Sequence, residues 1–267
     1  MTDNSALLAF AKELAHDAGE IMLKYFYADD KGVETKQDGS SVTIADKEIN
    51  QLVIDRVAEH FPEHGVLAEE GSSHENRREL WVCDPIDGTK DFARGVSTAL
   101  FSLAYVVDGE PQVAVVLNPF RNKLYSAIKG EGAFVNDQPL QVSGTASFKD
   151  ANIAFSANYK ELKIRRTFFD RVLDDGAKIT LVGGSFFRAM LVASGSADAT
   201  VFPGLSAHDV ASSKLIIEEA GGRVTDLAGK DQRYDGPTLG AIISNGLLHD
   251  ELVARVADFG AENFKGH

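Results

Sequence analysis

The sequence predicts an α+β fold in two lobes, with helices laid on an antiparallel sheet in residues 1–142 and an α/β arrangement in residues 143–267. Three features predict it. Apolar residues recur at helical spacing in the first sixty positions, short β-rich runs joined by tight turns follow from Gly65, and strand-like and helix-like stretches alternate past about Ser143. At 267 residues the chain exceeds one average domain, yet α/β architectures of this size fold as one unit with two lobes.

The first helix is predicted over 5–26, where Leu7, Leu8, Ala11, Leu14, Ala15, Ala18, Ile21, Met22 and Phe26 recur at helical spacing. A second runs over 44–60, with Ile49, Leu52, Val53 and Val57 on one face and Pro62 marking its end. Between them the polar stretch from Lys36 through Asp38 to Ser41 has the chemistry of a loop. Strands are predicted over 66–67, 80–83, 100–107, 112–117, 123–128 and 133–135, punctuated by Asp108-Gly109 and Asn118-Pro119. Runs joined this tightly pair antiparallel. In the second lobe, strands over 152–155, 179–182, 199–202 and 240–244 alternate with helices near 187–193 and 208–220. No internal repeat, low-complexity tract or long linker interrupts the chain, so the lobes are expected to share an interface, a common place for a ligand cleft.

Composition narrows the function. Hydrophobic residues at 44% and charged residues at 25% match an ordinary globular protein rather than a disordered one. A net charge of -13, from 27 Lys+Arg against 40 Asp+Glu, opposes binding to a nucleic-acid backbone, which needs a basic face. An acidic protein handles a phosphorylated small molecule only if cations mediate the encounter. No apolar run approaches the ~18 residues of a membrane span, and the first ten residues have neither a basic cluster nor a signal-peptide core, so cytoplasmic residence is expected. Cys83 is the only cysteine; within Trp81-Val82-Cys83 it reads as a buried strand thiol, and no internal disulfide is possible.

The most informative stretch runs from Trp81 to Phe92. An apolar strand ends in Asp84, Pro85 turns the chain, and Asp87-Gly88-Thr89 follow, which leaves two carboxylates three residues apart at a strand terminus. Hard cations such as Mg2+ take oxygen ligands, and two carboxylates on a rigid turn can share a pair of them, with the Ile86 carbonyl as a further donor. Gly88 lets backbone approach a ligand closely, and the Thr89 amide can face an anion. Glu69-Glu70 follow the 66–67 strand, at the end of the lobe where Asp84 lies, and Asp209 opens the predicted 208–220 helix. Each has a plainer reading: Asp87-Gly88 as a turn, Glu69-Glu70 as a solvated pair, and both Ser206 to Asp209 and Thr43 to Asp46 as capping boxes. No Gly-rich nucleotide loop follows a strand, and the seven histidines lack metal-ligand spacing.

Taken in order, Glu69-Glu70, the Asp84-Pro85-Ile86-Asp87-Gly88-Thr89 stretch, and Asp209 with Glu219-Ala220-Gly221-Gly222 resemble the inositol monophosphatase superfamily of metal-dependent, lithium-sensitive phosphatases, over nearly the whole chain. The resemblance implies a layered αβαβα sandwich, a homodimer and two or three Mg2+ per active site. By it, Glu69, Asp84 and the Ile86 carbonyl hold one ion, Asp84, Asp87 and Asp209 a second, and a looser third sits near Glu69. Asp46 and Thr89 orient the attacking water, the Gly88 and Thr89 amides bind phosphate, and Lys36 matches a basic residue near the metals; no covalent phosphoenzyme is expected.

The substrate pocket departs from the inositol-specific pattern. Phe202 stands seven residues before Asp209, where those enzymes carry a polyol-binding glutamate, and His208 replaces the tryptophan before Asp209. Lys90-Asp91 follows Thr89 in place of Thr-Asn, as in histidinol-phosphate and nucleotide-bisphosphate members. Ser185 and Arg188 fall in the segment that lines the pocket in relatives, and Arg188 can engage a second anionic group, or be a surface arginine on a helix. Candidate substrates are inositol monophosphate, histidinol phosphate, 3'-phosphoadenosine 5'-phosphate and fructose 1,6-bisphosphate. A competing class is a non-catalytic regulatory protein of the same fold, to which the full set of ligand residues lends no support.

Overall fold

The computed structural model describes residues 3–37, 39–156, 166–202 and 206–260, which leaves Asp38 of the polar loop outside. Helix α1 (Asn4–Phe26) starts where the Asp3 carboxylate accepts from the Ser5 amide. A small antiparallel pair, β1 (Glu34–Thr35) and β2 (Ser41–Val42), carries the polar loop and leads into α2 (Ile44–His60). At its N-terminus Thr43 and Asp46 form a complete capping box, as their spacing predicts.

Seven strands then build one sheet in the order β3 (Gly65–Ala68), β4 (Glu79–Asp87), β5 (Leu100–Val107), β6 (Glu110–Asn118), β7 (Lys123–Ile128), β8 (Gly132–Val135), β9 (Gln138–Pro139), with the short α3 (Thr89–Ala93) after β4. All neighbours are antiparallel except β3 and β4, which run parallel from Gly65 opposite Leu80 to Ala68 opposite Cys83. This corrects the all-antiparallel expectation. Residues 69–78 are long enough to carry the chain back to the starting edge, and the parallel register sets Glu69 beside Asp84.

A second sheet follows, ordered β11 (Lys178–Leu181), β10 (Asn152–Phe155), β12 (Ala199–Phe202), β14 (Ala241–Ser244), β13 (Arg223–Thr225). Its first three strands are parallel and the last two antiparallel additions. The helices here are α4 (Arg166–Asp174), α5 (Ser185–Ala193), α6 (Ala211–Glu219) and α7 (His249–Phe259); α4 and α7 lie outside the elements that the sequence pattern predicts.

Three buried clusters show the layering. Leu14, Met22, Ile49 and Val53 of α1 and α2 pack on Trp81, Cys83, Phe101 and Val115 of the first sheet. Leu80, Val82, Ala104 and Val116 face the other way, onto Phe186, Met190, Ile216 and Ile217 of α5 and α6, which also meet Ala154, Phe202 and Ile243 of the second sheet. Phe155, Val201 and Ile242 pack outward on Phe168, Val172, Leu252 and Val256 of α4 and α7. The order is helix, sheet, helix, sheet, helix, and the two-residue alternation of β4 shares its side chains between two layers. Cys83 is fully buried, and burial pushes its thiol pKa well up, in keeping with a structural role.

One buried imidazole in this frame gives a measurable signature. His249 is bonded at Nδ1 to Ser244 Oγ and at Nε2 to Thr225 Oγ1, both at 2.9 Å. Burial lowers its pKa from 6.5 to about 4, helped by the charges of Arg223 and Lys214 and opposed by Asp250. The unfolded chain therefore takes a proton at His249 as pH falls from 6.5 toward 4 while the folded chain does not, so this residue's contribution to stability is present above pH 6.5 and lost through that window. Melting temperatures measured from pH 7 to pH 4.5 should fall more steeply for the wild type than for His249→Gln.

Candidate metal centre

Strand β4 delivers the first group of acids. Positions 80, 82 and 84 alternate toward the layer between the sheets, so Asp84 points inward, and only 3% of it is exposed. The ladder to β5 pairs Asp84 with Ser102 and then slips before Asp87 pairs with Leu100, and this bulge at Pro85 brings Asp87 to the same end of the strand. Gly88 follows with φ of 86°, a left-handed conformation costly for any residue with a Cβ, and its carbonyl accepts from the Asp91 and Phe92 amides of α3.

The other acids arrive from three directions. Glu69 leaves β3 with its amide bonded to the Cys83 carbonyl at 3.3 Å. The predicted 208–220 helix is in fact a 3-10 turn, Ala207–Asp209, packed on β4 and followed by α6, and the Ser206 side chain forms no cap bond. The capping-box reading of Asp209 therefore fails. The Asp46 carboxylate of α2 accepts from Thr43 through Oδ2 and from Thr89 Oγ1 through Oδ1, at 3.1 Å.

The electrostatics follow from this crowding. The Asp84 pKa is raised well above the carboxylate range by burial first, then by the charges of Glu69, Asp87, Asp209 and Asp46. Burial lifts Asp209 to about 7, with Glu69 adding to it. Burial lifts Asp87 to about 6 against the stabilising amides of Ser185 and Phe186 and the charge of Arg188, and Asp46 to about 6 against its bonds from Thr43. Burying several carboxylates together is unfavourable unless positive charge answers them.

Among the described residues, Lys36 and Arg188 answer part of that charge. Lys36 bridges Glu69 at 2.9 Å and Glu70 at 2.5 Å; burial lowers its pKa, and these bonds outweigh burial to give a net rise. The Asp84 Oδ1 atom is buried without a hydrogen-bond partner among the described residues. As the side chains stand, no three His, Cys, Asp or Glu groups among the described residues enclose a common cation position. Glu69 is turned to Lys36, and the Asp87 oxygens take the Ser185 and Phe186 amides at 2.9 and 2.8 Å. The donor set is nonetheless carboxylates and a carbonyl, with one buried oxygen left over, and it fits a hard divalent cation.

The remaining predicted residues surround this cluster. Ser185 meets it through its amide. Arg188 is no surface arginine: it is 3% exposed, 6.0 Å from the Phe202 ring, and its charge lowers the Asp87 pKa. Phe202 is buried at the end of β12. His208 stands within the fields of Glu69, Lys36 and Glu70, and burial lowers its pKa. Sequence reasoning missed two contacts. Ser102 and Ser212 share a hydrogen bond of 2.8 Å, tying the strand beside Asp84 to the helix after Asp209; a serine inside the apolar 100–107 run was the available signal. Asp87 bonds amides of α5, a tie about a hundred residues along the chain that no local pattern encodes.

Comparison with known proteins finds relatives over nearly the whole chain. The model of the Inositol monophosphatase family matches residues 3–260. A histidinol-phosphatase of Mycobacterium tuberculosis is 35% identical over 264 residues, covering 96% of this chain and 99% of its own. A fructose-1,6-bisphosphatase/inositol-1-monophosphatase of Thermotoga maritima is 32% identical over 246 residues, 92% of this chain and 94% of its own. A solved inositol monophosphatase structure from Thermotoga maritima superposes with a TM-score of 0.87 at 32% identity, covering 97% of this chain and 99% of that one.

The cost of crowding these acids predicts a trade between stability and function. Asp84→Asn keeps the shape and removes the most strongly disfavoured charge, so in chelator at pH 7.5 the variant should melt higher than the wild type. About 2–4 °C is expected for each kcal/mol of relief in a chain of this size. Divalent cation should raise the melting temperature of the wild type and leave Asp84→Asn unmoved, as scanning calorimetry can read directly.

Proposed function

The chain belongs to the inositol monophosphatase family, and we propose that it is a Mg2+-dependent hydrolase of small phosphate monoesters acting at the carboxylate cluster where β4 ends. Membership makes it a phosphoric monoester hydrolase. The observation that carries the assignment to this site is Asp84, a buried carboxylate with an unpartnered oxygen in the fields of four other acids.

In this reading Glu69, Asp84 and the Ile86 carbonyl would hold one ion, Asp84, Asp87 and Asp209 a second, and Glu69 would take part in a looser third site. Mg2+ bound there would supply positive charge to the phosphate oxygens and lower the pKa of bound water. The protein contributes position. The Gly88 and Thr89 amides hold the phosphate, and Thr89 Oγ1 and Asp46 orient the water. As the water oxygen bonds to phosphorus and the ester P–O bond breaks, the water proton passes to Thr89 Oγ1, the Thr89 proton passes to Asp46 Oδ1 and the leaving oxygen takes a proton from solvent. Burial raises the Asp46 carboxyl and so strengthens it as a proton acceptor.

For substrate, the proposal is an inositol-1-phosphate-like or broad sugar-phosphate specificity, with histidinol phosphate, 3'-phosphoadenosine 5'-phosphate and fructose 1,6-bisphosphate as alternatives. Phe202 argues against strict inositol selection, because a phenyl ring satisfies no hydroxyl. Lys36, Ser185, Arg188 and His208 complete the proposed pocket, Arg188 acting from beneath Asp87. Lithium sensitivity, a homodimer and cytoplasmic residence belong to the same proposal; among the described residues no helix is long and apolar enough to cross a membrane.

A phosphate-release panel of these four esters tests it, run with Mg2+, with chelator and with added lithium. Release should require Mg2+ and fall with lithium, and Asp209→Asn should lower kcat/KM about 100-fold or more, the scale of losing one preorganised charge at such a centre. Release that persists unchanged in chelator would remove the metal-dependent reading.

A further inference from the structure

Asp46 offers two carboxylate oxygens, and the fold gives them separate partners. Oδ2 accepts the Thr43 amide at 2.8 Å and the Thr43 hydroxyl at 2.5 Å, while Oδ1, among the described residues, accepts only Thr89 Oγ1 at 3.1 Å. Thr43 and Asp46 are fully buried and Thr89 nearly so, which leaves no room for water to take over either bond freely. We infer that Thr43 is a positioning residue for catalysis: by holding Oδ2 it fixes the rotation of the Asp46 carboxylate and keeps Oδ1 aimed at the Thr89 hydroxyl.

The physical reason lies in a soft torsion and a single proton. Rotation about the terminal bond of an aspartate is broad and nearly two-fold, so an untethered carboxylate does not keep one oxygen on one partner. Two bonds to Oδ2 remove that freedom. The Thr89 hydroxyl has one proton and two acceptors, Asp46 Oδ1 at 3.1 Å and the Ile86 carbonyl at 3.0 Å, and it donates to one at a time. The ionised acceptor makes the stronger bond. A fixed Oδ1 therefore draws the proton toward Asp46, leaves a Thr89 lone pair to receive a water proton, and frees the Ile86 carbonyl for its own role. With Oδ1 displaced, the proton falls back on Ile86 and Thr89 loses its base. Helix capping needs only the Asp46 amide on Thr43 Oγ1 and the Thr43 amide on Asp46 Oδ2, not the bond from Oδ1 to Thr89, so the two roles of this capping box are separable by experiment.

The inference rests on the phosphatase reading above, and its test tells the two apart. The variants are Thr43→Val, which keeps the side-chain shape, Thr43→Ser, which keeps the hydroxyl, and Asp3→Ala, which removes a helix cap far from the centre. With the best ester of the panel and saturating Mg2+, Thr43→Val should lower kcat at least about tenfold, a part of the ~10²–10⁴ that an oriented general base contributes. KM and the Mg2+ concentration for half activity should stay within about twofold of wild type, as expected when only a transition-state interaction is lost. Thr43→Ser should restore most of kcat, and Asp3→Ala should lower the melting temperature without lowering kcat. In a Thr89→Ala background Thr43→Val should cost less than about twofold, because the pair it serves is already gone. A crystal structure of metal-free Thr43→Val should show Asp46 Oδ1 beyond about 3.5 Å from Thr89 Oγ1. An unchanged kcat in Thr43→Val, or the same fold loss in the Thr89→Ala background, overturns the inference while the phosphatase reading stands. A wild-type protein that hydrolyses no ester overturns both.

Discussion

Crowding buried carboxylates at the end of β4 is the constraint around which the molecule is arranged. Asp84, Asp87, Asp209 and Asp46 each resist ionisation because they are removed from water, and Asp84 feels the charge of all the others. A chain free to relax would turn these side chains outward. They stay because each is fixed by an element whose apolar face is committed elsewhere: β4 shares its side chains between two layers, α2 is docked by Ile49 and Val53, and the Asp209 turn precedes a helix buried between the sheets. Stability in the layers offsets strain at the centre.

The same arrangement explains why the centre joins the two sheets. Asp87 belongs to the first sheet but takes the first amides of α5, which packs beneath the second. The Ser102–Ser212 bond repeats the theme between the same two layers, from β5 to α6. Arg188 adds a buried positive charge near Asp87 and lies against Phe202. Groups that serve a ligand in the proposed chemistry thus also register one half of the molecule on the other, and a change at the centre is expected to be felt at the interface.

Local helix punctuation and chemistry overlap at Asp46 and part at Asp209. Both follow a Ser/Thr-x-x-Asp pattern, and only the first closes into a capping box. At Thr43 an extended backbone leads directly into a regular helix. After Ser206 the chain forms a 3-10 turn pressed on β4, whose tighter winding precedes the α-helix proper. The acid freed from capping is one of those assigned to the metal in the proposed chemistry.

The sequence by itself determined the elements and their order. Helical and two-residue periodicities placed α1, α2 and most strands to within a few residues, since burial of one face is written in local spacing, and the acids with their Gly-Thr turn marked the end of β4 as chemical. It left the short or mixed-pattern pieces α4 and α7 unmarked, and it missed the parallel pairing of β3 with β4, because strand direction depends on where a connection runs rather than on the strand's residues. Only the tertiary structure decided that Asp209 is not a cap, that Arg188 is buried and that Ser102 meets Ser212, more than a hundred residues away. Those outcomes depend on which surfaces are pressed together when the two sheets close on α5 and α6, and contact across that distance has no local signature for a sequence to carry.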